Sequence, residues 1–304
     1  MKKNVKVWAR ILITVVILVA LLLKVGIKEI IVQLKSINPW FLIPLVIFNI
    51  LTIVFTAVGI FLFVRKLKRG ITFKNVFKHY LTVWSLNLFI PGRLGDASMI
   101  FLLKKEGIRM GKTTAVMLLD NVITIMVIGL FSLIGVYTFY GLRGSLVAVF
   151  LLVVLAVVVR FVLQKRQRTF IRRLVLRDKA RYFTGFSKSM HQLVKKNKAV
   201  VVANVFITVM KTLCAYVSYY VGFRVVSFEV GYLDVLKVMP ISRLVSFVPI
   251  TINGAGIKEG LAVYLFGLLG VAGSIVLAAI LVMTVVTYLT GVAIMVTTAI
   301  AEKK

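Results

Sequence analysis

The chain has 304 residues, of which 61% are hydrophobic. Soluble domains contain about 45–50% apolar residues, so this composition excludes an ordinary soluble protein and predicts an integral membrane protein. The net charge of +30 would suit nucleic acid, but the basic residues lie in short segments between apolar runs. That placement is typical of membrane-protein loops, so we exclude nucleic acid and predict membrane lipids with anionic headgroups as the partner.

Six apolar stretches are each close to the roughly 20 residues that a spanning helix needs. They are 5–24, 39–64, 113–139, 145–163, 199–221 and 272–298. The first follows a basic start without a small-residue cleavage site, so we interpret it as an uncleaved helix. Two further apolar segments, 76–103 and 233–269, contain Pro and Gly in the middle, which interrupt a helix. We predict an all-α polytopic membrane protein with about six spanning helices and two re-entrant broken-helix hairpins.

The basic residues predict the orientation of these helices. With the N-terminus in the cytoplasm, 29 of the 39 Lys and Arg lie at cytoplasmic ends and loops and 5 lie outside. This asymmetry follows the positive-inside rule and predicts that both termini are cytoplasmic. The first broken hairpin then enters from the cytoplasm and the second from the exterior.

The chain is therefore predicted to be a single membrane domain, 1–304, built as an inverted repeat. The half-repeats are about 39–139 and 199–298, each with a span, a broken hairpin and a second span. Inverted repeats are common in transporters, whose binding sites lie at discontinuous helices. A basic linker, 160–198, joins the halves and holds 13 basic residues with one acid. Apolar and basic residues alternate at helical spacing in 168–177, which predicts a helix at the headgroup layer.

The two breaks have matching residues. Each contains a Pro, a glycine turn, one basic residue and an acid that begins the next helix: Arg93 with Asp96, and Lys258 with Glu259. The hairpin-break residues are Pro91, Gly92, Gly95, Pro249, Asn253, Gly254, Gly256 and Gly260. Such an acid is either a helix cap with a local ion pair or part of a polar translocation path. Only nine acids occur in the chain, and two at matching breaks favour the path.

Three more charged residues lie in apolar segments: Asp120, Lys211 and Arg243. An ionisable residue within a span costs about 2.5–3.5 kcal/mol on insertion scales, so each is a candidate substrate-binding or translocation residue. Two other interpretations stay open, because Asp120 could lie at the interface and Lys211 could extend its amine to the headgroups. Neither the single Cys214 nor His79 and His191, which lie in or beside basic loops, suggests a metal site. We predict no catalytic residue, no metal and no cofactor.

At the breaks the sequence resembles the transmembrane, flippase-like domain of prokaryotic lysylphosphatidylglycerol synthases. The family motif Pro-Gly-x-x-Gly-Asp/Glu is matched by residues 91–96. The motif Gly-Gly-x-Gly-Val-Arg-Glu-Gly is matched by 253–260, with Asn253, Ile257 and Lys258 as departures. A Leu-Leu-Glu-Arg stretch corresponds to residues 118–121. The resemblance covers about 5–300 and implies a stand-alone membrane domain, without the synthase domain, in a prokaryotic cytoplasmic membrane.

The resemblance also implies lipid transport, since the domain moves an aminoacylated phospholipid in well-understood members. Where the family often has Arg, this chain has Met99, Asn121 and Thr284, so the lipid stays open. We predict a flippase or scramblase that moves a phospholipid or lipid-linked headgroup. The alternatives are a small-solute or ion transporter on the same inverted repeat and a membrane transferase acting on a lipid-linked substrate. A homo-oligomer and a separate lipid-synthesising enzyme are further candidate partners.

Overall fold

The computed structural model describes residues 2–89, 94–162, 185–248 and 250–302. In these ranges the chain is almost entirely helical and has no β-strand, because a chain in lipid must satisfy its own backbone hydrogen bonds. The helices are α1 (Lys2–Val25), α2 (Ile27–Lys35), α3 (Leu42–Leu67), α4 (Phe73–Phe89), α5 (Leu94–Lys105), α6 (Met110–Val162), α7 (Phe186–His191), α8 (Lys198–Val225), α9 (Tyr232–Val245), α10 (Ile257–Leu268) and α11 (Gly273–Glu302). This confirms the all-α class.

Four helical segments in the described ranges are long and apolar enough to cross a membrane: Pro39–Leu67, Met110–Val157, Lys198–Val225 and Gly273–Thr298. The second has 48 residues and would extend about 72 Å, more than twice the hydrocarbon thickness of about 30 Å. It is interrupted at Gly141, whose φ of 63° and ψ of −160° are not helical. This interruption lies between the predicted spans 113–139 and 145–163. The total of six crossings stays a prediction.

Each predicted broken segment contains two helices that pack against each other. In the first segment these are α4 and α5, and in the second they are α9 and α10. The second break is confirmed, because α9 ends at Val245 and α10 begins at Ile257. The first break, 90–93, and Pro249 lie outside the described residues, as do the predicted linker helix at 168–177 and the side chains of 89–96. Re-entry of the two pairs to their side of origin stays a prediction.

The chain divides into two compact units. Unit 1 comprises 1–51, 128–141 and 212–293, and unit 2 comprises 52–127, 142–211 and 294–304. Unit 1 contains the α9–α10 pair, and unit 2 contains the α4–α5 pair. Each unit takes segments from both halves of the sequence, and the two half-repeats stay a prediction.

Unit 1 has an aromatic and aliphatic core. Phe223 and Phe266 pack edge to face, with 4.9 Å between ring centroids, and both are fully buried. The loop before α3 is joined to the end of α8, because the backbone N–H of Asn38 donates to the carbonyl of Val225 over 2.7 Å. These contacts place the start of a spanning helix against the end of another.

Candidate functional site

A buried carboxylate lies inside the spanning part of α6. Asp120 is 6% exposed and accepts a hydrogen bond from Asn204 of α8, with 3.2 Å between Nδ2 and Oδ1. The Asn204 side chain is completely buried, and its Oδ1 accepts no hydrogen bond from the described residues. The carboxylate forms no ion pair with any described residue. Buried carboxylates usually have more partners than this, so the pair is an unusual feature of a span.

A glycine lets a third helix approach this pair. A Cβ added to Gly59 of α3 would lie 2.9 Å from Asn204 Nδ2 and 3.4 Å from Asp120 Oδ1. Helices in membranes approach closely through small residues, and here the approach places the α3 backbone directly against a polar pair. Unit 2 therefore holds the carboxylate where α3, α6 and α8 converge.

The same pair of helices carries a cation one turn further along. Lys211 of α8 donates to Thr124 Oγ1 of α6 over 3.0 Å. Asp120 and Thr124 are four residues apart, and Asn204 and Lys211 are seven apart, so these residues lie on facing sides of the two helices. Asp120 and Lys211 are separate candidates in the sequence, and the structure brings them to one helix interface. We refer to Gly59, Asp120, Thr124, Asn204 and Lys211 as the polar cluster.

The second break has a sharply turned backbone. Asn253, Gly254 and Gly256 all have positive φ, of 51°, 75° and 85°. A Cβ on Gly254 would lie 2.5 Å from Ser246 Cβ, because the chain folds back on the end of α9. Glycine alone fits such a close approach with this φ. These three residues form a sharp turn between α9 and α10, and their role in a re-entrant hairpin stays a prediction.

Glu259 acts as a cap at this break. Its Oε2 accepts from the backbone N–H of Gly256 over 2.7 Å, and its Oε1 lies 3.4 Å from Lys258 Nζ. This is the capped turn with a local ion pair that sequence analysis left open as one of two interpretations. The Lys258 side chain is about one-third exposed and Arg243 is exposed. At the second break, Arg243 and Lys258 are therefore exposed or partly exposed, whereas Glu259 is bonded to the first turn of its own helix.

The first helix packs along the second break. A Cβ on Gly256 would lie 2.8 Å from Ile17 Cγ2, and one on Gly260 would lie 4.0 Å from Leu21 Cδ1. Ile17 and Leu21 are four residues apart and lie on one face of α1. The small residues of the break therefore form a groove that α1 occupies.

A polar clamp that sequence analysis missed joins the free ends of α4 and α5. His79 Nε2 lies 3.0 Å from Glu106 Oε1, and Asn75 Nδ2 lies 3.5 Å from Oε2. Lys68 donates to the Glu106 carbonyl. The hydrogen bond from His79 is the largest influence on Glu106 and lowers the pKa of its carboxyl, although partial burial opposes it. The spacing of four residues between Asn75 and His79 was the signal in the sequence that could have predicted this clamp.

The other predicted site residues fall outside what the structure describes. These are Arg93 and the side chain of Asp96, with the break residues Pro91, Gly92, Gly95 and Pro249. In the described ranges, no group of three or more His, Cys, Asp or Glu side chains could hold a metal ion. The prediction of a metal-free site stays a prediction.

The sequence matches a known protein family. The family model described as the lysylphosphatidylglycerol synthase TM region matches residues 7–294, nearly the whole chain. No curated protein matches the sequence.

Proposed function

Because the chain belongs to the lysylphosphatidylglycerol synthase TM-region family, we propose that this multi-pass membrane protein moves a phospholipid or lipid-linked headgroup across the prokaryotic cytoplasmic membrane. The family supports a lipid-related function, and flippase or scramblase activity is the specific form we propose. The two broken hairpins, on this proposal, belong to an inverted repeat with both termini in the cytoplasm. The protein acts as a transporter and not as an enzyme.

The polar cluster is the observation that carries this proposal. Polar and ionisable groups inside a span are costly, and they are kept where they serve a pathway. A lone structural hydrogen bond would explain Asn204, but it would not explain Lys211 on the same interface. An ammonium group has three N–H donors and can bind a lipid phosphate, which offers charge as well as acceptors. Lys211 is therefore proposed to bind the phosphate as the headgroup passes.

The cations of the two breaks are separate candidates for binding lipid phosphate. Lys258 and the exposed Arg243 present positive charge at the second break, and Arg93 has the matching position in the first motif. The basic linker, 160–198, is proposed to gather anionic lipid at the cytoplasmic surface. Glu259 is assigned a smaller part than sequence analysis expected, because both of its oxygens have local partners.

The test is translocation by the purified protein in proteoliposomes. Lipids with labelled anionic, zwitterionic and cationic headgroups are offered separately, and a membrane-impermeant quencher reports the outer leaflet. Protein-dependent movement of at least one lipid, with small solutes retained inside, supports the proposal. Solute release without lipid movement would favour the solute or ion transporter. A chemically altered lipid found by chromatography would favour the transferase.

A further inference from the structure

The Asp120–Asn204 pair is packed too closely to bind a lipid headgroup. Gly59 packs so closely that one added methyl group would already contact Asn204 Nδ2 at 2.9 Å. Asp120 is 6% exposed and Asn204 is completely buried. A lipid headgroup does not fit between side chains packed in this way. The occupant that the geometry admits is a very small one.

The Asp120 carboxylate has no counter-ion among the residues that the structure describes. Gly59 of α3 and Asn204 of α8 lie against it. The charged side chains on α3, α6 and α8 within eight residues of this trio are Arg65, Lys66, Lys112, Lys198 and Lys211. None of them forms an ion pair with Asp120, and Lys211 donates to Thr124. A buried carboxylate in such surroundings is costly unless a positive ion joins it.

Asn204 provides a partner for a carboxyl group in either protonation state. Its Nδ2 donates to Asp120 Oδ1, as a carboxylate requires, while its Oδ1 accepts no hydrogen bond from the described residues. When the carboxylate takes up a proton, a new O–H bond forms, and the acid becomes a donor. A half-turn of the amide about its Cβ–Cγ bond then presents Oδ1 to that O–H. The unsatisfied oxygen of the present state is the acceptor that the other state requires.

We propose that Asp120 and Asn204 form a proton-binding site and that proton movement through it drives lipid movement. Asp120 takes up the proton from water on one side of the membrane and releases it to water on the other. Asn204 is a positioning residue that holds the carboxyl group in both states, and Gly59 closes the site to larger ligands. The coupling rests on the proposed lipid transport, whereas proton binding by Asp120 does not.

The first measurement is independent of transport. Infrared difference spectra of the purified protein are recorded as the pH is changed, and the carbonyl band of a carboxylic acid is followed. The wild type is expected to show a titrating band that is absent in Asp120→Asn. Asp120→Glu is expected to retain such a band at a shifted position, which separates loss of the acid from loss of folding. Spectra of wild type and Asp120→Asn with identical titrating bands would overturn the proton site.

The second measurement tests coupling in proteoliposomes that contain a pH-sensitive dye and a labelled lipid. A pH gradient is expected to accelerate lipid translocation by the wild type, and this acceleration is lost in Asp120→Asn and Asn204→Leu. Asn49→Leu is the matched control, since Asn49 donates to Thr287 Oγ1 over 2.8 Å elsewhere in the chain, in unit 1. It is expected to keep the gradient dependence.

The outcomes separate the two proposals. Lipid movement by the wild type at equal rates with and without the gradient would overturn coupling and leave the transport proposal intact. No lipid movement under any gradient would count against the transport proposal, and the infrared titration would then still decide whether Asp120 binds a proton.

Discussion

Asn204 donates its amide hydrogen to Asp120 across the interface of two spanning helices, with 3.2 Å between Nδ2 and Oδ1. The two residues are 84 positions apart in the sequence, and the backbone of Gly59 closes over both. This arrangement makes the size of residue 59 critical for the carboxylate that it covers.

Gly59→Ala is therefore expected to impair the protein. The added methyl group would lie 2.9 Å from Asn204 Nδ2, so α3 or the amide must move, which typically costs about 1–3 kcal/mol of stability. Gly267→Ala is the matched control, because Gly267 lies within α10 and nothing lies within 4 Å of its added Cβ. That control should be neutral or stabilising by up to about 1 kcal/mol. Thermal unfolding in detergent and lipid translocation measure both effects, and equal behaviour of the two variants would contradict the close packing.

Lys211→Met tests the proposed phosphate contact. The change keeps an unbranched side chain but removes the ammonium group that donates to Thr124. A hydrogen bond to a charged group contributes about 1.5–3 kcal/mol, so translocation of an anionic lipid should fall by about ten- to hundredfold. Lys211→Arg should retain part of the rate, and the exposed Lys28→Met should leave it unchanged. An unchanged rate for folded Lys211→Met would remove Lys211 from the path.

Two substitutions separate the structural and transport roles of Glu259. Glu259→Gln retains an oxygen that can accept from the Gly256 N–H, whereas Glu259→Ala loses the cap, which costs about 0.5–2 kcal/mol. We expect Glu259→Gln to be stable and to translocate lipid, and Glu259→Ala to lose stability. Thermal unfolding and translocation are measured on both variants. Stable Glu259→Gln that fails to translocate would instead show that the charge itself is needed.

The polar clamp, in which His79 binds Glu106, predicts that the stability of the folded protein depends on pH. The hydrogen bond from His79 lowers the pKa of Glu106 below its ordinary value, so the folded state favours the ionised carboxylate. The stabilisation is present above the ordinary pKa of glutamate and is lost as the pH falls through the lowered pKa. Thermal unfolding of the wild type and Glu106→Gln should therefore differ at neutral pH and converge in acid. A constant difference at every pH would show that the charge is not responsible.

Much of the fold was predictable from the apolar pattern, because span length and helix breakers are local properties of the sequence. The predicted spans 199–221 and 39–64 correspond to α8, Lys198–Val225, and to Pro39–Leu67. The helices extend past the apolar runs because basic residues such as Arg65 and Lys66 are favoured in a last helical turn. The break between the end of α9 at Val245 and the start of α10 at Ile257 was predictable for the same reason, since closely spaced Pro and Gly in the sequence interrupt a helix.

The partners within the site were not predictable in this way. Asn204 is uncharged and was not selected, and only the helix packing shows that it meets Asp120. Gly59 resembles any other glycine in a span until the distance to a neighbouring helix is known. Sequence alone left two roles open for Glu259, a helix cap or part of a translocation path. The position of the Gly256 N–H, which donates to Glu259, shows the cap. Each of these depends on contacts between segments or on side-chain direction, which local pattern does not determine.

Lipid translocation in proteoliposomes tests the central claim most directly. Headgroup-labelled lipid in the inner leaflet should become accessible to an impermeant quencher in vesicles with the wild type. Protein-free vesicles should remain protected, and vesicles with folded Lys211→Met should show the ten- to hundredfold slower movement expected above. Equal quenching in all three preparations, for every headgroup offered, would contradict a lipid transporter that works through the polar cluster.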